Sequence, residues 1–241
     1  MNVLSGILIG LTILLGLHAL PATAAITADA SNSAQVASAT SLTYSLTTTT
    51  ASNRLIVVGV LTVGTTDRVT GVTYGGAALT RIDTVVPTSG NRIYLYYLLA
   101  PATGANDVVV SLSSSAQIIS AAATFSDVHQ SGQPTQQITC SNDAATSLSC
   151  TNTTTVDNSL HIGEFAGFDF VASAGAGTTQ IAAISGGGLY KSTALVTPPG
   201  SNSVTITTGG TDKLAGVSAV FKPFAAAAAA AVKPPDIIQS E

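Results

Sequence analysis

Between Ser41 and Phe221, short apolar runs alternate with polar ones and are separated by turn residues, the pattern of β-strands rather than helices. Predicted strands lie at 42–47, 55–63, 69–74, 79–86, 92–99, 107–113 and 117–125. A second series runs from Gln136 through 148–153, 160–168, 180–184, 189–196, 204–208 and 214–221. Gly75-Gly76, Ser89-Gly90-Asn91 and the stretch from Pro101 to Asn106 punctuate the first series. Many short strands with regular turn signals predict an all-β fold, a jelly-roll-like two-sheet β-sandwich.

The pattern occurs twice. SLTYSLTTTTASNRLIVVGV, from Ser41, is echoed by SLSCTNTTTVDNSLHIGEF, from Ser147, with Leu42, Leu55 and Val57 matching Leu148, Leu160 and Ile162 across a one-residue gap. Downstream, Gly104–Phe125 aligns without a gap on Gly200–Phe221, pairing Asn106 with Asn202, Val108 with Val204 and Phe125 with Phe221. The sandwich of residues 41–223 is therefore expected to be an internal duplication, repeat 1 spanning about 41–128 and repeat 2 about 147–223. Repeat 2 is the shorter, with Gly-rich loops between Phe168 and Gly188. In the strand at 92–99, Ile93, Leu95 and Tyr97 share one face and Tyr94, Tyr96 and Leu98 the other, so it is either covered on both sides or presents tyrosines to a partner.

The flanks differ from this body. Val3–Leu20 is an apolar run followed by Pro21 and Ala22-Thr23-Ala24, which predicts a signal peptide at 1–24, with an uncleaved membrane anchor as the rival reading, and a secreted, extracellular or cell-surface location. Residues 25–40 are small, polar and without period, expected to be a linker or free arm, and 224–241 read as an Ala/Pro-rich tail. An extended arm of this kind suits strand addition to a neighbouring copy.

Charged residues make up only 8% of the chain and the net charge is −4. With 8 Lys and Arg in all there is no basic stripe for nucleic acid. Few charges also mean little self-repulsion, and strands without Lys or Pro guards are open to pairing, so self-association or binding to other surface proteins is expected. Cys140 and Cys150, in two strand-like pieces joined by SNDAATS, are expected to form a hairpin with a disulfide worth roughly 2–3 kcal/mol. A zinc site would need further ligands, and beyond the signal peptide the chain has only His129 and His161. No metal or cofactor is expected.

Candidate chemistry is sparse. Asp127, His129 and Gln130 form a polar cluster that offers oxygen ligands for a small molecule or Ca²⁺, although the spacing is not that of a calcium loop. Tyr94, Tyr96, Tyr97 and Tyr190 are the candidate aromatic platform for a carbohydrate, since the chain has no Trp. His161 and Glu164, three apart on one strand, fall on opposite faces. There is no G-x-S-x-G elbow, and the SGGGLYKS stretch at 185–192 has Tyr190 where a phosphate loop needs Gly. Asn152-Thr153-Thr154 is an N-glycosylation sequon. A hydrolase with carboxylates assembled in space is the remaining enzymatic alternative.

NRLIVVGV, VTYGGAALT, YYLLAP, GANDVVVSLS and ATFSDVHQSGQP, closing on GVSAVFKP, resemble a widespread class of secreted and surface-associated bacterial β-sandwich modules. The resemblance covers Ser41–Pro223 and departs at Ser126-Asp127-Val128-His129-Gln130, where the class usually reads S-G-V-D-Q. It implies an exported jelly-roll-like sandwich with no catalytic set to carry over. The function expected from these features together is a secreted, non-catalytic structural, adhesive or matrix protein, with a carbohydrate-binding module as the alternative.

Overall fold

The alternation that predicts the strands is realised in a computed structural model that describes residues 24–87, 90–184 and 186–225. The expected signal peptide, except for Ala24, and nearly all of the expected tail lie outside the described residues. The first sheet is antiparallel and holds β1 (Thr27–Thr48), β2 (Leu55–Thr62), β3 (Val69–Tyr74), β4 (Ala77–Ala78), β5 (Thr80–Val85), β6 (Arg92–Leu99) and β7 (Gly104–Ser126) in the order β4-β3-β7-β2-β6-β5, with β1 also on β7. The second, also antiparallel, holds β8 (Gln136–Thr153), β9 (Leu160–Gly167), β10 (Ser173–Ala174), β11 (Thr178–Ile184), β12 (Gly187–Ser192) and β13 (Ser201–Phe221) in the order β10-β13-β9-β12-β11, with β8 on β13. The fold is an all-β sandwich of two sheets whose strand orders correspond one to one from β3 and β10 to β5 and β11.

Pairs of predicted strands fuse into long bent ones. The predicted pieces 107–113 and 117–125 are one strand, β7, and the polar residues between them interrupt its pairing with β1 by register shifts between Val36 and Ala39 and between Ala39 and Ser41. β13 shifts against β8 between Thr207 and Leu214 in the same way. Bulges bend a strand without ending it, which is why turn-like residues persist inside a continuous ladder. The bend brings Cys140 and Cys150, ten residues apart on the single strand β8, to a Cα separation of 5.6 Å. The disulfide therefore forms as expected, but across a folded-over strand rather than between the two arms of a hairpin.

Residues 25–40 are not a linker or free arm. From Thr27 they form the first part of β1 and pair with β7 from Thr27 opposite Ser126 to Ala39 opposite Ala116. Small side chains hide this strand in the sequence because no residue from Thr27 to Thr40 is fully buried, and Ala30, Ala34 and Val36 lean only half-buried against the first half's own core. Main-chain pairing to the otherwise open edge of β7 holds it instead.

Bending creates layers. A shared core between the sheets combines Leu55, Val57, Leu61, Leu95 and Phe125 of the first half with Leu160, Ile162, Leu189, Val217 and Phe221 of the second. Tyr97 and Phe221 meet across it, ring centroids 5.8 Å apart. The first half also folds over a core of its own around Ile56, Val58, Val60, Tyr74 and Tyr94, and the second over a smaller one around Cys150, Phe165, Tyr190 and Leu214. β2 and β9 are consequently buried along their whole length on both faces. Each fully buried Val, Leu or Ile stabilises by about 1.5–3 kcal/mol, so these two strands anchor the sandwich.

Candidate functional site

The tyrosines proposed as a carbohydrate platform are core residues. Tyr94 and Tyr190 have no exposed surface and Tyr96 is buried, because both faces of β6 are covered. Their hydroxyls are spent on strand connections. Tyr94 Oη accepts the Arg68 backbone N–H at 3.3 Å, and Tyr190 Oη donates to the Ala172 carbonyl at 2.9 Å while accepting from Gln180. Burial pushes the Tyr96 hydroxyl up to about 12 and raises that of Tyr190 as well. The half-buried Tyr97 donates to the Gln133 carbonyl at 2.7 Å, tying β6 to the connection between the halves. No exposed aromatic face is left among these four for a sugar to stack on.

Asp127, His129 and Gln130 also serve the fold. Asp127 sits at φ 61°, a turn conformation, and its backbone N–H and carbonyl pair with Ser52 and Phe224. The His129 N–H donates to Lys222, and Gln130 Nε2 donates to the carbonyls of Arg54 and Val128. With the Val128–Pro223 bridge, these bonds fasten the connecting loop to both the β1–β2 turn and the end of β13. Among the described residues, no group of three or more His, Cys, Asp or Glu is gathered where it could hold a metal ion.

The group closest to a catalytic arrangement was not legible as one in the sequence. His161 on β9 places Nδ1 2.9 Å from Asn202 Oδ1 and Nε2 3.0 Å from Ser218 Oγ, the order orienting group, base, hydroxyl. Asn152 Nδ2 donates to both His161 Nε2 and Ser218 Oγ at 3.0 Å. These bonds fit a neutral imidazole with its proton on Nδ1, and burial lowers the His161 pKa in the same sense. Ser218 and His161 have no exposed surface, and β13 at Ser218 is paired on one side with Ile138 and on the other with Gly163. No substrate atom reaches this hydroxyl, so the group is a closed polar network. The sequon at Asn152 is likewise closed to a glycan, because its amide is buried and used.

Glu164 lies on the opposite face of β9, as the spacing requires, and is buried in the shared core. Its side chain covers Gly59 of the facing sheet so closely that a Cβ there would collide with the carboxyl group. It accepts a backbone hydrogen bond from Gly188, while Oε2 has no partner. Burial raises its pKa well above 4.5, favouring the neutral acid. Asp212, the other buried carboxylate among the described residues, caps the backbone N–H groups of Asp169, Phe170 and Lys213.

Two open depressions stand out on the described surface. One, of about 500 Å³, is lined by Thr73, Gly75, Gly76, Asn106 and Asp107. The other, of about 380 Å³, is lined by Ser192 to Pro198 with Ser201 and Asn202. Neither has an aromatic side chain in its lining. On the paired long strands β8 and β13 runs a row of hydroxyls: Ser149 meets Thr205 at 2.8 Å and Thr151 meets Ser203 at 2.7 Å, all four exposed or half-exposed. No family model, curated protein or solved structure matches the chain.

Proposed function

We propose that this chain is an exported, non-catalytic β-sandwich that acts as a surface structural or adhesive protein, built by duplication of one half. One observation carries this reading: the groups that could do chemistry, Tyr94, Tyr190, His161, Ser218 and Glu164, lie inside the cores, where nearly all their polar atoms bind other strands. What faces solvent is Ser, Thr and Asn on long strands, a surface suited to contact rather than turnover. The Cys140–Cys150 bond and the apolar leader fit an oxidising compartment, and the resemblance to secreted bacterial sandwich modules points the same way.

Protease shaving of intact producing cells tests the reading. The expected result is release of fragments of residues 25–241 from the cell surface or medium, with purified protein inert toward panels of chromogenic esters and glycosides. A chain confined to the cell interior overturns the proposal, as does hydrolysis that disappears in Glu164→Gln or His161→Ala.

A further inference from the structure

The first part of β1 is bound in a way that none of the other long-strand segments is. From Thr27 to Val36 it closes the edge of β7, opposite Ile118 to Ser126, yet contributes no buried side chain. It also crosses to the other sheet, where Ser31 Oγ and Ser33 Oγ donate to the carbonyls of Ile181 and Ala183 on the outer edge of β11 at 3.2 and 3.0 Å. The corresponding piece of β8, Gln136–Cys140, occupies the same place on β13 but is secured twice: by the Cys140–Cys150 bond, and by the preceding loop, whose Thr135 and Gln133 are hydrogen-bonded to Val220 and Lys222. In β1 no covalent bond spans the bend: hydrogen bonds run from Asn32 Nδ2 to the Ser45 carbonyl at 2.7 Å and from the Thr49 N–H to Asp29 at 2.9 Å, and the start of the strand is tied by the Ala24 N–H to the Phe224 carbonyl at 3.2 Å.

We propose that the 27–36 segment exchanges between copies of this chain, so that one copy's strand closes the β7 edge and reaches the β11 edge of a second copy. The occupant fits because the edge it fills is the one its own sequence already fills. The ladder to β7 and the serine bonds to β11 re-form unchanged in the partner, and only the bulged stretch 37–41, where the register already shifts, alters its path. Release uncovers little core, since Ile26 is the one buried side chain that leaves with the strand and Ala30, Ala34 and Val36 are only half-buried, and all four regain the same contacts in the partner. It uncovers a row of unpaired main-chain groups on β7, which favours refilling by an identical strand wherever copies are concentrated, as on a surface. Reciprocal exchange gives a closed dimer and one-way exchange an open chain. This inference rests on the surface-structural reading, to which it supplies the partner.

The test uses residues 25–241 with the native disulfide intact, concentrated to the millimolar range and examined by light scattering. The expected result is dimers or longer species. In Ala34→Cys/Tyr44→Cys, which places in β1 the ten-residue staple that β8 carries, oxidation before concentration should reduce the assembled fraction at least tenfold. In Ser33→Cys/Ala121→Cys, across the β1–β7 ladder, oxidation after assembly should yield covalent multimers in denaturant. A monomer at every concentration, equal assembly with and without the staple, or bonds only within chains would each overturn the exchange. A chain that is surface-exposed yet monomeric sinks this inference alone, whereas one that assembles but stays inside the cell sinks the surface reading alone.

Discussion

At matching places in the two long strand pairs, β1 with β7 and β8 with β13, Tyr44 stands opposite Val108 and Cys150 opposite Val204. Tyr44 donates a hydrogen bond to Ser120 Oγ at 2.8 Å, which passes one on to the Gly59 carbonyl at 3.0 Å, whereas Cys150 is covalently joined to Cys140. A second contrast lies beside it. Leu46, Ile56 and Ala122 of the first half are apolar, and their counterparts in register, Asn152, His161 and Ser218, form the closed polar network. A third is Gly59 against Glu164, equivalent positions that face each other across the shared core, one empty and one filling the gap. The same backbone thus accepts hydrocarbon or a hydrogen-bonded network in its outer layer. Across the shared core, the two halves must be matched residue against residue.

The largest effect is expected where that matching is tightest. Gly59→Val should cost about 3 kcal/mol, because overpacking must displace a buried carboxyl from a facing sheet, and a denaturant melt measures it. Replacing both Cys140 and Cys150 by Ala should cost about 2–3 kcal/mol, the loop-entropy expectation for so short a closure, and should leave the first half's amide exchange unchanged.

His161→Ala should cost about 2 kcal/mol, since it strands the buried amide and hydroxyl of Asn152 and Ser218. The triple exchange His161→Ile, Asn152→Leu, Ser218→Ala, which copies the first half, should by contrast stay within about 1 kcal/mol of the parent. A triple variant as unstable as the single one would show that the halves are not interchangeable in this layer.

The smallest effect is one of pH. The folded pKa of Glu164 is raised, so the stability tied to its neutral form is fully present below about 4.5 and is lost as pH rises through the folded pKa. His161 has a lowered pKa, so its contribution is present above about 6.5 and is lost as pH falls toward the folded value. Glu164→Gln should remove the loss on the alkaline side and leave the acid side unchanged, which chemical melts across pH will read.

The sheet-forming core was legible because β2, β6 and β9 are rich in apolar residues between turn signals, and the first and last of these are buried along their whole length while β6 is buried from Ile93 to Tyr96. The disulfide was legible from two cysteines in strand-like pieces. The first part of β1 was not, since main-chain pairing leaves no mark in side-chain pattern when nothing is buried. Tyrosines were misplaced on a surface because strands covered on both faces look like strands presenting one face to a partner, and periodicity alone does not separate the two. A trace of the His161 network was present: laying residues 42–57 on 148–162 with the one-residue gap sets Leu46 against Asn152 and Ile56 against His161, polar residues where the first segment has aliphatic ones.

Intact mass of the chain recovered outside the producing cell, with and without alkylation under non-reducing conditions, tests the account most directly. It predicts the mass of residues 25–241 less two hydrogens and no alkylation at Cys140 or Cys150. Full-length chain found only inside the cell, with both thiols alkylated, would contradict it.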